Sequence, residues 1–476
     1  MTLPATPATN RPTGRPSPAT GTGTGTGTGT VELPPESRQR LVVIGCGYLG
    51  ATHAACMAEL GHEVLGVEVD PARLSSLQAG RVPFHEPGLA ELLARHVASG
   101  RLRFTDSYAE AGAFGDVHFV CVGTPQRGDS LGADTSHVEA AVASLAPHLA
   151  RPALVVGKST VPVGTAASLA ATLAALCPAP DDVDLAWSPE FLREGFAIAD
   201  TLRPDRVVVG VASERAEKLL RELYAPQVDA GCPLVVTDPA TAELVKVAAN
   251  AFLATKISFV NAVSEVCEAA GADVVDLAEA LGHDARIGHR FLRAGIGFGG
   301  GCLPKDIRAF VHRAGELGVE DTMSFLRQVD AINQRQRQRV VQLSTALLGG
   351  SVTRTRIAVW GAAFKPDSDD VRDSPALSIA GRLHLRGATV TVHDPAAGGT
   401  ARAAYPTLTY ADSPLEACRD ADLLLHLTEW SDYREVDVAE VGRVVRRKQL
   451  LDGRNALDAA LWREHGFTVR GMGRRP

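Results

Sequence analysis

Two doubly wound α/β units joined by a helical segment are predicted from three observations. An apolar strand runs directly into Gly45-Cys46-Gly47-Tyr48-Leu49-Gly50, and a helical stretch follows. A second strand–helix–strand pattern starts at residue 356. Between the two, residues 241–281 carry Ala, Val and Leu at helical spacing, with no strand-like alternation. Short apolar strands alternating with helices are the mark of a parallel sheet covered on both faces.

Residues 1–38 are rich in Thr, Pro, Gly and Ala and include Gly-Thr repeats over 21–30. Such a composition has no apolar surface to bury, so disorder is expected there. Residues 41–44 form an apolar run ending in glycine and read as a buried strand. Residues 52–60 are Ala-rich with helical spacing, Gly61-His62 stops them, and residues 63–67 read as the next strand, which makes a βαβ unit. Further strands are expected at 117–122, 153–156 and 206–209. The first domain is therefore placed at 39–236, and a central segment, helical and suited to subunit contact, at 237–340. The second domain, 341–476, has strands at 356–361, 388–395, 421–427 and 449–452 and a helix at 374–385.

A chain of 476 residues accommodates two to three such domains. With 45% hydrophobic and 22% charged residues it reads as a soluble globular protein. The net charge of −7 gives no pull toward nucleic acid or an anionic membrane. No apolar run approaches the ~20 residues of a membrane span, and the first thirty residues lack a secretory pattern. Eight scattered cysteines fit reduced thiols in a cytoplasmic enzyme. With no CxxC pair and no clustered His/Cys spacing, no metal is expected.

The glycine-rich turn has the context that a dinucleotide site needs. Gly45 permits the tight turn, Gly47 lets the backbone approach a pyrophosphate, and Gly50 lets helix and strand pack closely. The helix start offers free amides to the phosphates. Glu68, after the second strand, can accept both ribose hydroxyls and repel a 2′-phosphate, which favours NAD over NADP. Arg73 works against that preference, because a nearby arginine can serve a 2′-phosphate. The second unit has no such fingerprint; Lys365 follows its first strand, where open α/β sheets bind ligands, and suits a nucleotide other than NAD or a plain solvated loop.

Residues 297–306, GFGGGCLPKD, put Cys302 at the start of a helix, with Pro304 in its first turn. Lys305 and Asp306 lie three and four residues on. A helix N-terminus and a nearby ammonium both favour thiolate, so the thiol pKa is expected to fall and Cys302 to be nucleophilic; the plainer alternative is a buried structural cysteine. A cysteine nucleophile beside an NAD site suggests oxidation at the aldehyde level, through a thiohemiacetal and a thioester.

From residue 40 onward the chain resembles the UDP-glucose/GDP-mannose dehydrogenase family. The resemblance rests on GCGYLG at 45–50, VGTP at 122–125, KSTVPVGT at 158–165, SPEFLREG at 188–195, ELVKVAAN at 243–250, FLRAGIGFGGGCLPKD at 291–306 and FKPDSDDVRDSP at 364–375. It implies an NAD-binding Rossmann domain, a central helical dimerisation segment and a UDP-binding Rossmann-like domain, in a homodimer or larger homo-oligomer. The activity it implies is NAD-dependent oxidation of UDP-glucose to UDP-glucuronate, with no nucleic-acid or membrane partner.

The resemblance also implies roles. Cys302 would be the thioester nucleophile, and Lys246 and Asn250 would stabilise the anionic oxygen at the reacting carbon. Asp306 would orient or activate water, with Glu190 and Thr160 as its partners in proton handling and Glu190 a candidate general base. NAD contacts would include Leu49, Glu68, Arg73, Thr124, Thr160, Glu194, Lys305 and Arg372. Sugar-nucleotide contacts would include Glu190, Phe191, Leu192, Arg193, Glu194, Phe291, Leu292, Arg293, Ala294, Gly295, Gly299 and Lys365. Arg286 would reach the partner subunit's substrate. Two positions depart from the pattern: Glu68 stands where Asp is usual, and Gly301 where Ser is usual. GDP-mannose 6-dehydrogenase, a single-step hydroxyacid or 6-phosphogluconate dehydrogenase, and a catalytically silent sugar-nucleotide binder remain as alternatives.

Overall fold

The computed structural model describes residues 38–475; the low-complexity segment whose disorder the sequence predicts lies, but for residue 38, outside the described residues. Eight strands form the first sheet: β1 (Arg40–Ile44), β2 (Glu63–Val67), β3 (Leu102–Thr105), β4 (Val117–Val120), β5 (Ala153–Gly157), β6 (Val183–Trp187), β7 (Val207–Gly210) and β8 (Leu234–Thr237). Their order is β3-β2-β1-β4-β5-β6-β7-β8, parallel throughout except where β7 meets β6. The second sheet has β9 (Arg356–Trp360), β10 (Thr389–His393), β11 (Thr409–Tyr410), β12 (Leu423–His426), β13 (Gln449–Asp452) and β14 (Thr468–Gly471), all parallel, in the order β11-β10-β9-β12-β13-β14. In both sheets the chain departs from a central strand to each side in turn, which opens a crevice at the carboxyl ends of β1 and β9.

The central strands are buried on both faces. Leu41, Val42, Val43 and Ile44 of β1 and Ile357 to Trp360 of β9 all lie in the core, which explains their unbroken apolar runs. β3, β6, β8, β11 and β14 are strands the sequence reading did not single out.

The sequence expects one helix over 241–281; the structure has two. Helix Pro239–Ala270 starts at the Asp238 cap, whose side chain accepts the Thr241 N–H, and ends where Gly271 turns left-handed. Helix Val274–Gly282 follows. The long helix packs against helices Leu303–Glu316 and Phe325–Leu347, around Ala251, Ala254, Phe298, Ile307 and Leu326. It is long and apolar enough to cross a membrane by length and hydropathy alone, which the sequence reading did not expect of any segment. It nevertheless buries Glu243, Asn250 and Asn261 against protein, as a core helix does. Glu243 accepts the Gly164 and Ala166 N–H groups at 2.7 and 2.6 Å, which pins this helix to the start of helix Thr165–Leu176 in the first domain.

Candidate active site

The glycine-rich turn is built for a phosphate group. A side chain at Gly50 would run into the Gly45 carbonyl, so this crossing needs glycine. A Cβ at Gly47 would meet nothing within 4 Å, so the space beside the turn is free for a ligand. Gly47 caps helix Tyr48–Glu59 without a side-chain hydrogen bond, which leaves first-turn amides available to an anion. Leu49, in that first turn, packs on the domain core. Glu68 is buried; it accepts the Cys46 N–H at 3.2 Å and the Asp70 N–H at 2.9 Å, and pairs with Arg73 at 3.1 Å. A free turn, uncapped amides and a carboxylate one strand away fit a dinucleotide carrying an unphosphorylated ribose.

The loops leaving β4, β5 and β6 meet at the same end of the sheet. The Thr124 hydroxyl donates to the Thr160 carbonyl at 2.7 Å. Lys158 is buried and pairs with Glu190 at 3.2 Å. Burial alone would lower the Lys158 pKa, but the Glu190 carboxylate overrides it and the ammonium is held. Glu190, expected to be free as a base, is thus tied to an ammonium, and its other oxygen accepts the Phe191 N–H at 2.8 Å. The Lys246 ammonium lies 5.4 Å from the centre of the Phe191 ring, and the Arg206 guanidinium stacks on the same ring at 3.9 Å.

Cys302 caps helix Leu303–Glu316, and the Asp306 N–H donates to its carbonyl at 2.9 Å. Asp306 is buried between two donors: the Asn250 amide at 2.6 Å and the Lys305 ammonium at 2.6 Å. Asn250 therefore gives an N–H to Asp306 as well as lying one helical turn from Lys246. The expectation of a lowered thiol pKa is corrected. Cys302 is exposed to solvent, yet the protein crowding around it and then the Asp306 carboxylate push its pKa up, against smaller opposite effects of Lys246 and Lys305. Because solvent reaches this thiol, the crowding penalty is smaller than for a sealed one. Thr124, Thr160, Val247, Lys305 and Asp306 line one pocket, so the cysteine helix faces the dinucleotide-domain loops.

The second unit closes on this site. The Lys365 ammonium donates to the Glu194 carbonyl, and Ser368 donates to the Glu194 carboxylate at 3.0 Å. Burial, then Asp370, raises the Glu194 pKa. Arg372 pairs with Asp370 at 2.6 Å and reaches Glu194 at 3.5 Å. Its guanidinium covers Gly301, where any Cβ would collide with it. A serine at this position would require the guanidinium to shift aside. Arg193 is engaged by Asp200 at 2.7 Å, and Leu192 lies half-buried beside it. Leu292, Ala294, Gly295 and Gly299 are buried; Gly295 donates to Asn261 at 2.8 Å, and Gly299 packs on the Asp373 carbonyl. Gly299 thus serves loop packing in this conformation. Phe291 and Arg293 are exposed, Phe291 with a φ of 66°. Arg286 is also exposed and pairs with Asp284 at 2.6 Å, away from the cysteine's contacts.

Three stretches match one family in order. Residues 39–228 match the NAD-binding domain of the UDP-glucose/GDP-mannose dehydrogenase family, 240–335 its central domain and 358–459 its UDP-binding domain. The chain belongs to this family. It is 41% identical over 438 residues to the UDP-glucose 6-dehydrogenase of Rhizobium meliloti, covering 91% of this chain and 99% of that one. The UDP-glucose 6-dehydrogenase of Pseudomonas aeruginosa is 41% identical over 444 residues, covering 91% and 97%. The structure of a UDP-glucose dehydrogenase from Pyrobaculum islandicum superposes with a TM-score of 0.85 at 39% identity, covering 93% and 99%. The protein is thus an NAD-dependent dehydrogenase with two Rossmann-type domains.

In this dehydrogenase, sequence reasoning missed three residues that shape the site. Lys158 holds Glu190. Glu86 is buried, accepts the Gly195 and Ala197 N–H groups at 2.6 and 2.7 Å, and takes the Tyr48 hydroxyl. Tyr48 thereby ties the glycine-rich turn to the 188–195 loop. Lys158 stood in a quoted motif, and a lysine amid apolar residues was the available signal. Glu86 had none, since the backbone N–H groups it accepts lie more than a hundred residues away.

Proposed function

We propose that this dehydrogenase oxidises UDP-glucose to UDP-glucuronate in two successive oxidations, with Cys302 as covalent nucleophile. The observation that carries the reading is Cys302 at a helix start, one turn from a buried Asp306 held by Asn250 and Lys305. UDP-glucose is preferred to GDP-mannose because the relatives at 41% identity bear that substrate in their names.

NAD, when bound, accepts the hydride of each oxidation. The glycine-rich turn and Glu68 would hold it, with Arg73, Leu49, Thr124 and Thr160 nearby. In the first oxidation a basic group takes the alcohol proton; Glu190 serves once its pairing with Lys158 is shared with substrate. In the second, the Cys302 thiolate forms a C–S bond to the aldehyde carbon, and the Lys246 ammonium stabilises the resulting oxyanion. Loss of hydride leaves a thioester. Water positioned by Asp306 attacks it, and the C–S bond breaks with thiolate as leaving group. Lys365 and the 188–195 and 291–299 loops would hold the sugar nucleotide. Arg286, exposed here, would reach a partner subunit's site.

The test is Cys302→Ala with UDP-glucose and NAD, with GDP-mannose as a parallel substrate. Acid formation should fall by at least about a thousandfold, on the scale of losing a covalent nucleophile, while UDP-sugar and NAD still bind. Near wild-type production of UDP-glucuronate would exclude the covalent route, and a preference for GDP-mannose would overturn the substrate.

The same proposal includes a homodimer in the cytoplasm. Phe252, Phe259 and Val266, seven residues apart on helix Pro239–Ala270, are 66%, 54% and 64% exposed, and form one apolar face suited to a second copy. Phe252→Glu with Phe259→Glu should sediment as a monomer where the unaltered chain sediments as a dimer; an unchanged sedimentation coefficient would place the contact elsewhere.

A further inference from the structure

Glu279, His283 and His289 meet on the surface beside the end of helix Val274–Gly282. Their ligand atoms all lie within 4.8 Å of one another. Glu279 and His283 are four apart, so they stack one helical turn from each other. His289 comes from the loop beyond. That loop is folded back: the Ile287 and Gly288 N–H groups both donate to the Asp284 carbonyl at 2.9 Å, and the Lys256 ammonium donates to the Ile287 carbonyl at 2.8 Å. The His289 ring then lies over Gly282, in the space a Cβ would fill.

The distances resemble those of a coordination sphere. His283 Nε2 is 3.3 Å from one oxygen of Glu279, and His289 Nδ1 is 3.5 Å from the other. Ligands held about 2.0–2.1 Å from a tetrahedral zinc ion stand about 3.3 Å apart. The two imidazoles approach edge to face, with ring centres 5.0 Å apart. Two imidazoles and a carboxylate form a donor set of borderline softness, suited to Zn²⁺ and poorly suited to Ca²⁺ or Mg²⁺. Plain surface ion pairs are the competing account, and such pairs contribute little.

We propose that Glu279, His283 and His289 form a Zn²⁺ site, with water at the fourth position. The ion would fasten the 283–289 loop, which carries Arg286, to helix Val274–Gly282. The sequence shows the ligands as Glu-x3-His-x5-His. That spacing went unrecognised in reading the sequence, because the second interval is too long for one helix face and only the folded-back loop closes it.

The proposal stands apart from the dehydrogenase reading, and so does its test. The full chain is stripped with chelator and titrated with Zn²⁺ by calorimetry. Cys302→Ala is titrated in parallel, because a thiol also binds zinc. We expect one Zn²⁺ per chain in both proteins, with affinity lowered by on the order of tenfold or more in the His283→Gln/His289→Gln variant and in Glu279→Gln, since each loses a direct ligand. Co²⁺ should give a visible d–d spectrum without thiolate charge transfer. Zn²⁺ should also slow hydrogen exchange at residues 284–289 in the unaltered chain but not in the double variant. The proposal is overturned if the double variant binds Zn²⁺ as tightly as the unaltered chain. It is equally overturned if binding disappears with Cys302→Ala, or if the unaltered chain takes up no zinc.

Discussion

Two carboxylates occupy the same place in the two sheets and have different neighbours. Gly45 follows β1 and its N–H donates to the Val67 carbonyl at 2.8 Å; Gly361 follows β9 and its N–H donates to the His393 carbonyl at 2.8 Å. Glu68 comes next after β2, and Asp394 next after β10. Asp394 accepts five hydrogen bonds: from Ala362, Ala363, Ala396 and Ala397 N–H at 2.7, 2.9, 3.0 and 2.8 Å, and from the Trp430 indole at 3.2 Å. A carboxylate offers about four lone-pair sites, so Asp394 is saturated by its own chain. Glu68 accepts two backbone N–H groups and one arginine whose side chain is 41% exposed. One scaffold position thus shares its carboxylate with a half-exposed arginine in the first sheet and serves as an internal staple in the second. Lys365, just beyond β9, instead donates to the Glu194 carbonyl and so ties the second domain to the 188–195 loop.

The contrast can be broken most directly at the staple. Asp394→Ala would strand four backbone donors and an indole in a buried loop. At ~1–3 kcal/mol per orphaned group, and far from additive, the total loss is about 3–5 kcal/mol. Calorimetric melting should show the second domain unfolding several degrees earlier, with NAD affinity unchanged. A loss under about 1 kcal/mol would mean that water replaces the carboxylate and the staple is not one.

Glu68→Ala is the matching change and should have the smaller, differently directed effect. NAD affinity should drop by about tenfold as the ribose acceptor goes, and discrimination against NADP should narrow because Arg73 loses its partner. Melting should shift little. Titration calorimetry with both dinucleotides reads the outcome. If this variant loses as much stability as Asp394→Ala and keeps its NAD affinity, the two carboxylates are equivalent and the comparison fails.

The same pair shows what the sequence could and could not disclose. Glu68 stood out in the sequence because a dinucleotide-type glycine turn predicts a carboxylate at about that offset. Asp394 was read only as the end of a strand, since its five partners come from three loops spread over about seventy residues. Buried runs such as those of β1 and β9 declare themselves by composition. β6, VDLAW, and β8, LVVT, do not, because the former is half-exposed and the latter lies at the sheet edge. At the candidate site, Cys302, Asp306 and Lys305 lie within one helical turn and were grouped from sequence alone. The Lys158–Glu190 pair and the Arg372 guanidinium over Gly301 join segments that only the fold brings together.

The smallest expected effect sits on the cysteine loop between the two domains. Crowding first, then Asp306 and to a lesser degree Glu194, raise the Cys302 thiol, while Lys246 and Lys305 oppose them. Asp306→Asn removes the second cause and releases Lys305 from its ion pair, so both consequences lower the thiol pKa. With a raised pKa, thiolate grows only at higher pH than for an ordinary thiol; lowering the pKa shifts that growth to lower pH. More thiolate is then present at pH 8, although each thiolate is intrinsically less reactive as its pKa falls. The ligand-free Asp306→Asn protein should therefore react with iodoacetamide faster at pH 8, and its rate–pH curve should move to lower pH. Steady-state turnover should fall in the same variant if, as proposed, Asp306 positions the water that attacks the thioester. The opposite signs separate the electrostatic part played by Asp306 from a structural one. If alkylation and turnover slow together and the alkylation profile stays in place, Asp306 serves mainly to hold Asn250 and the start of helix Leu303–Glu316, and its charge is not what sets the reactivity of Cys302.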